Sequence, residues 1–265
     1  MFLPLKFEIK TRNNTLRRSN TRPPKGRMIN RRQLFYISTA SVLGLGFEIG
    51  YAETKRIEVT KLDVGIGRKI IFLADLHIGV LGHVAEEIIE LVDEEEPDII
   101  MLGGDTVDEL TVDVKSALKS LSSLEAREKF AVMGNHEYWS GKAGELAENL
   151  KDQGFKVLYN SVVSSTAGKV YGLDWKEDRK YPQIKAEGIV IVHDPNAAMS
   201  VSGSALILAG HTHGGVVLFG LKYSNSVFTR GLYKIDGGGV LYVSRGLGQM
   251  FPWRLSSPLE LVIIE

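Results

Sequence analysis

The chain holds 265 residues, 44% hydrophobic and 24% charged, which suits one α/β domain with a substantial core and excludes a wholly disordered chain. Its net charge of zero is unevenly divided: residues 1–33 carry ten Lys/Arg against one Glu, and the remainder carries 22 Lys/Arg against 31 Asp/Glu. An acidic body argues against a broad nucleic-acid footprint, and the absence of cysteine excludes disulfides and thiolate ligands.

Residues 1–52 read as an address rather than as fold. Residues 1–33 are basic and polar, with the pair Pro23-Pro24, and Leu34–Phe47 follow as a 14-residue, mostly apolar run. A helix needs about 20 apolar residues to cross a hydrocarbon core of ~30 Å, so the run fits the apolar part of a signal better than a span. Arg31-Arg32-Gln33-Leu34-Phe35 resembles a twin-arginine export signal, with Asn30 where Ser or Thr is usual and no Lys after the pair. The alternative is a disordered basic arm followed by a core helix. A start at Met28 would leave a leader of ordinary length, and with no small-x-small site near Ala52 an uncleaved membrane anchor is the other form this segment could take. The expected division is a basic extension with a signal or anchor over 1–52, and the folded domain over 53–265.

Arg56–Val64 alternates in the manner of an edge strand, and Lys69–Ala74 reads as the first buried strand. An amphipathic helix follows, with Val84, Ile88, Leu91 and Val92 on one side and Glu86, Glu87 and Glu90 on the other; His83 opens it and is expected to be an exposed first-turn residue rather than a ligand. Ile99–Leu102 is the second buried strand. A helix with Val114, Leu118 and Leu121 on its core face leads to the third strand, Phe130–Met133, and a helix with Ala143, Leu146 and Leu150 stops near Gly154. The second half is richer in short strands, at about 155–174, Ile189–Val192, Ala205–Ala209, Gly239–Val243 and Leu259–Ile264.

Polar residues follow these apolar strands with regularity. Asp75-Leu76-His77, Gly104-Asp105-Thr106-Val107-Asp108 and Gly134-Asn135-His136-Glu137 end the first three, and Asp75, Asp105 and Asn135 are spaced 30 residues apart, about one βαβ unit. Three oxygen donors therefore converge at one edge of a sheet. His193-Asp194 and Gly210-His211-Thr212-His213-Gly214 end two later strands, so five of the six histidines occupy strand ends beside Asp, Asn or Gly. Core histidines would not cluster in this way.

This ordered series resembles the signature of the calcineurin-like metallophosphoesterases over about residues 70–215. The resemblance implies a sandwich of two mixed β-sheets flanked by helices, with a two-metal site at the strand ends. It implies that Asp75, His77 and His213 hold one divalent ion, that Asn135, His193 and His211 hold a second, and that Asp105 bridges them. Imidazole with carboxylate and amide oxygens suits Mn, Fe, Zn or Ni without choosing among them. Two such ions can hold a bridging hydroxide at neutral pH for in-line attack on a phosphate ester. By the same resemblance His136 is the general acid and Asp108 orients it; the alternative for Asp108 is a helix N-cap. Glu137 reads as structural.

Glu109 stands where protein Ser/Thr phosphatases of the superfamily carry Arg, which disfavours that branch. Gly134–Trp139 and Ser244-Arg245-Gly246-Leu247-Gly248 resemble instead the bacterial envelope branch of phosphodiesterases and sugar-nucleotide lipid pyrophosphatases. The expected activity is metal-dependent hydrolysis of a phosphodiester or pyrophosphate, on an envelope or lipid-linked substrate, by a protein exported or attached to a membrane through its N-terminal segment. A phosphomonoesterase, a nuclease of the same superfamily and a non-catalytic metal-binding module are the alternatives. Arg245 and Arg254 are candidate phosphate contacts by resemblance, with surface ion pairs as the equal alternative. Tyr138 and Trp139 are either an aromatic wall for a nucleoside or sugar, or core residues under the third helix. The shortness of the chain between Trp175 and Gly188 implies a reduced cap and an open site.

Overall fold

The computed structural model describes residues 30–81, 84–218, 221–250, 254 and 256–265. The readings made of residues 1–29 and of His83 lie outside the described residues. Helix α1 (Arg31–Glu53) carries the apolar run and leaves Phe35, Tyr36, Ile37, Leu43, Leu45 and Phe47 exposed. Among the described residues no helix is long and apolar enough to cross a membrane. Compactness divides the chain into residues 1–42 and 43–265, and α1 runs across that division.

The alternating segment after Arg56 is strand β1 (Ile57–Leu62), and the first buried run is β2 (Ile70–Leu73). Next come α2 (Ile78–Leu81) and α3 (Val84–Glu95), which buries Val84, Ala85, Ile88 and Val92 and exposes Glu86, Glu87 and Glu90. Strand β3 (Ile99–Gly103) precedes α4 (Val114–Leu118), whose N-cap is Asp113 rather than Asp108. Strand β4 (Glu128–Val132) leads into α5 (Asn135–Trp139) and α6 (Ala143–Asp152), after which Gly154 takes a φ of 85° that ends the helix. The second half adds β5 (Phe155–Val157), β6 (Ser161–Ser165), β7 (Gly168–Leu173), β8 (Ile184–Lys185), β9 (Gly188–Val192) and β10 (Val201–Ser202). It closes with β11 (Ala205–Ala209), β12 (Val216–Leu218), β13 (Leu221–Tyr223), β14 (Gly231–Lys234), β15 (Val240–Val243) and β16 (Leu259–Ile264).

The expected pair of mixed sheets is present. One has the order β1-β16-β2-β3-β4-β5, the other β14-β15-β11-β9-β7-β6. In the first, β2 to β5 run parallel while β16 is antiparallel to β2 and parallel to β1; in the second, β15, β11, β9 and β7 run parallel between two antiparallel edges. The near-continuous apolar runs follow from burial on both faces. Ile70, Phe72, Met101 and Phe130 meet Ile189, Ile191, Leu206 and Leu208 between the sheets, while Ile71, Leu73, Ile100 and Leu102 face Ile88, Leu118, Leu146 and Leu150 of the helices. Parallel strands therefore deliver their C-terminal loops to one edge, which is where the polar blocks lie.

Phe130 is fully buried between the sheets. Phe130→Ala should cost about 3–5 kcal/mol through lost transfer energy and the cavity left behind. Val112, 98% exposed, should change by no more than about 0.5 kcal/mol when replaced by Ala. Urea unfolding midpoints at unchanged m-value compare the two.

Candidate metal centre

Seven residues singled out as donors meet at this edge. His193, in the loop after β9, has Nε2 2.9 Å from Oδ2 of Asp105 and 3.1 Å from Oδ1 of Asn135. Nδ1 of His211 lies 3.2 Å from the same Nε2. On the other side, Nε2 of His213 is 3.8 Å and Nε2 of His193 4.0 Å from Oδ1 of Asp75, while Nε2 of His77 is 4.0 Å from Oδ2 of Asp105. Asp75, His77 and His213 form one group able to hold a cation, Asp105, His193 and His211 a second, with Asn135 beside it, and His77, Asp105 and His136 a third that shares members with both.

Local backbone geometry puts the donors there. Asp75, His77, Asp105, His211 and His213 all have positive φ, between 43° and 73°. Such a conformation costs a non-glycine residue on the order of 1–3 kcal/mol, so the surrounding bonds must hold it. The His77 N–H donates to the Asp105 carbonyl and the Asp75 N–H to the Gly104 carbonyl, each at 3.0 Å. The His211 N–H donates to the Asp75 carboxylate, and the His136 N–H to Oδ1 of Asp105. Two glycines are needed for close approach: a Cβ on Gly134 would strike the side chain of Asp105, and one on Gly210 the carboxylate of Asp75.

Glu137 ties these loops together. Its carboxylate accepts from the backbone N–H groups of Asp105, Thr106, Val107 and Gly134, so the loops after β3 and β4 share one buried acceptor. Burial, then the charge of Asp105, push its pKa up to about 7. The structural role expected of it is thereby specified.

The rings are oriented through their second nitrogens. Nδ1 of His77 donates to Asp108 at 3.0 Å, Nδ1 of His193 to the Gly103 carbonyl at 2.9 Å and Nδ1 of His213 to the Gly248 carbonyl at 3.0 Å. Each Nε2 is thereby turned towards the cluster, where a ring that carries its one proton on Nδ1 offers a lone pair. Nε2 of His77 is buried with no hydrogen-bond partner, which a cation would supply. The donor chemistry and this orphaned nitrogen fit divalent ions.

Electrostatics describe a site that is charged and tightly held. Burial is the largest single influence on both members of the Asp105–His193 pair and opposes their charges, but their mutual attraction, joined by Asp75 acting on His193 and His77 acting on Asp105, outweighs it: His193 is raised to about 10, and Asp105 falls well below the usual carboxylate range. Burial, with the charge of His193 next, lowers His211 to about 3, and burial with Arg254 lowers His213. Burial raises Asp75.

The family profile of the calcineurin-like phosphoesterases matches residues 68–215, more than half of the chain and the span that carries every donor. The chain belongs to this family. It is 33% identical over 237 residues to an Aquifex aeolicus protein named "uncharacterized metallophosphoesterase", covering 80% of this chain and 90% of the relative. A Helicobacter pylori metallophosphoesterase is 31% identical over 257 residues, covering 87% and 69%. Escherichia coli "Phosphodiesterase YaeI" is 30% identical over 268 residues, covering 90% and 99%. As a calcineurin-like phosphoesterase the chain is a hydrolase of phosphate esters in a metal-dependent family.

Several expectations need correction within the family frame. Asp108 does not orient His136: its Oδ2 accepts from His77 and its Oδ1 from the Leu110 and Thr111 N–H groups. His136 pairs instead with Glu109, Nδ1 to Oε2 at 2.7 Å, so the residue that stands where the Ser/Thr phosphatases carry Arg is the partner of the expected acid. Arg245 forms the ion pairs that were its alternative reading, with Glu58 and Glu260 at 2.7 and 3.1 Å. Arg254 is buried and spends its N–H groups on the carbonyls of Arg245, Gly246 and Gly248 while lying 3.2 Å from Nδ1 of His213. Trp139 and Tyr138 are not core residues. Trp139 is 53% exposed, stands edge-on to His136 and Trp175 and donates to Glu177, whereas the Tyr138 hydroxyl donates to Asp174. Both stand at the surface beside His136, so the core reading is the one that falls.

Arg179 and Asn225, both against Nε2 of His211, escaped the sequence reading. One signal could have found Arg179: it follows β7, which runs parallel to β9 and opens on the same edge.

Glu137→Ala would strand four backbone donors, and an unsatisfied buried donor costs about 1–3 kcal/mol. We expect a loss of at least ~3 kcal/mol in stability and a fall in bound metal after reconstitution. Thermal unfolding and metal analysis of the dialysed protein check both.

Proposed function

We propose that this chain is a phosphodiesterase or pyrophosphatase that uses two divalent ions, one held by Asp75, His77 and His213, the other by Asn135, His193 and His211, with Asp105 between. The observation that carries the reading is the sharing of Asp105: its carboxylate lies 2.9 Å from Nε2 of His193 and 4.0 Å from the orphaned Nε2 of His77, so it faces both donor groups. When bound, Mn, Fe, Zn or Ni ions supply Lewis-acid chemistry, lowering the pKa of a coordinated water and offsetting phosphoryl charge. The name of the E. coli relative, a phosphodiesterase, supports the diester over the monoester.

The chain's own groups complete the chemistry. His136 stands edge-on to His77, with ring centroids 5.0 Å apart, and donates Nδ1–H to Glu109. Its Nε2 is thus positioned to carry a proton to the departing ester oxygen. Trp139 and Trp175, edge to face at 6.3 Å, offer an apolar wall beside that oxygen for a nucleoside, sugar or acyl-bearing group. The exposed apolar side chains of α1 and the ten basic residues within 1–33 support attachment to an anionic membrane or passage through an export system. A lipid-linked envelope ester is the substrate class consistent with both features.

Residues 43–265, stripped with chelator and reloaded with Mn, should cleave bis-p-nitrophenyl phosphate faster than p-nitrophenyl phosphate. Asp105→Asn should abolish the activity, and His136→Asn should keep the metal but slow poor leaving groups about 100-fold or more. Faster cleavage of the monoester would replace the diesterase reading with a phosphatase. Cleavage of neither by the metal-loaded protein would leave a binding module.

His193 carries a raised pKa, near 10, in the metal-free protein and must lose its proton to become a ligand. Metal affinity should therefore rise with pH by up to about tenfold per unit below pH 10, with release of about one proton from this group at pH 7. Titration calorimetry in two buffers of different ionisation enthalpy measures the release. Its absence at pH 7 would mean that His193 is already neutral before the metal binds.

A further inference from the structure

The loop after β7 runs Asp174-Trp175-Lys176-Glu177-Asp178-Arg179 and leaves the sheet on the side of the histidines. The Arg179 N–H donates to the Lys176 carbonyl at 2.9 Å and closes a turn, with Arg179 at a φ of 51°. The guanidinium is brought back over the Trp175 ring, 5.5 Å from its centroid, and Trp175 in turn packs against His193 and His211. Nε lies 3.6 Å from the buried carboxylate of Asp194, and Nη1 donates to the Asn225 carbonyl at 2.9 Å. Nη2 is left facing Nε2 of His211.

That contact is incompatible with one state of the ring. Nδ1 of His211, not Nε2, faces His193 and the donor cluster. A neutral imidazole offering its lone pair at Nδ1 carries its proton on Nε2. A guanidinium only donates, so it cannot share a hydrogen bond with a protonated Nε2. The Asn225 side-chain amide, 3.1 Å from the same nitrogen, can accept that proton by presenting its oxygen. Engagement of His211 through Nδ1 therefore passes Nε2 to Asn225 and frees one arm of Arg179, while Asp194 and the Asn225 carbonyl keep the rest of the guanidinium in place.

Two guanidinium groups touch imidazoles of the cluster, and exposure separates them. Arg254 is 4% exposed with its N–H groups occupied by carbonyls, whereas the Arg179 side chain is 33% exposed at the mouth of the site. A planar fork with one arm free and the charge held in position suits a phosphoryl oxygen.

We propose that Arg179 is the residue that binds the anionic phosphoryl oxygen of the substrate. The inference rests on the phosphoesterase reading and narrows it: preferred substrates keep a negative charge on the His211 side of the centre, as phosphodiesters and pyrophosphates do and neutral triesters do not.

The test compares the Mn-loaded parent with Arg179→Ala and Arg179→Lys. Inorganic phosphate binding is measured by titration calorimetry, bis-p-nitrophenyl phosphate turnover at steady state, and metal content on the same samples. Arg179→Ala should keep its metal, lose about 10- to 100-fold in phosphate affinity and raise KM by a similar factor, with kcat falling less; Arg179→Lys should recover part of the binding. Phosphate affinity and KM within about twofold of the parent would overturn the proposal. So would a loss of affinity matched by a loss of metal, because Arg179 would then only support His211. Phosphate binding that needs Arg179 in a protein that cleaves no ester would uphold this contact and sink the hydrolytic reading. Cleavage indifferent to Arg179 would do the reverse.

Discussion

The site depends on a single buried carboxylate accepting from two loops at once. Glu137 lies in the first turn of α5, and from there it holds the backbone after β3 and the backbone before α5. Parallel strands bring those loops to one edge but leave their N–H groups without ladder partners. An anion accepting from Asp105, Thr106, Val107 and Gly134 settles that need and fixes Asp105 between the two donor groups. The same atoms that satisfy the backbone therefore set the spacing of the chemistry.

Around that anchor the protein holds strained backbone and like charges together. Five donors occupy the left-handed region, each kept there by bonds to a neighbouring loop. Two glycines leave room for carboxylates to pass where any Cβ would intrude. Such crowding of acids and imidazoles is a poor arrangement for stability and a good one for cations, which would neutralise the acids and occupy the orphaned lone pair of His77.

Much of this was legible because burial on both faces of a parallel strand writes a continuous apolar run, and the residue where the run stops must be a loop residue. That logic located Asp75, Asp105, Asn135, His193 and His211 on one edge, and the 30-residue interval tied the first three to successive βα units. It could not assign partners. Asp108 and Glu109 are adjacent in sequence, and only the path of the loop decides that the first turns inward to His77 and the second outward to His136. The charges that claim Arg245 are 187 and 15 residues away, a separation no local pattern records. Helix α5 is five residues long, too short to show a period, so Tyr138 and Trp139 could not be placed on a face. Arg179 and Asn225 lie on loops, where periodicity carries no information.

Strand β16 has a further consequence, for the order in which the protein can fold. It lies second in its sheet, between β1 and β2, and pairs Leu259 with Ile57 across some 200 residues of chain. On a ribosome adding about 5–20 residues per second, β1 and β2 wait roughly 10–40 s for that partner. Until residue 264 emerges, β2 presents an unpaired apolar flank beside loops that already bear half the donors, a surface open to mispairing with other nascent chains.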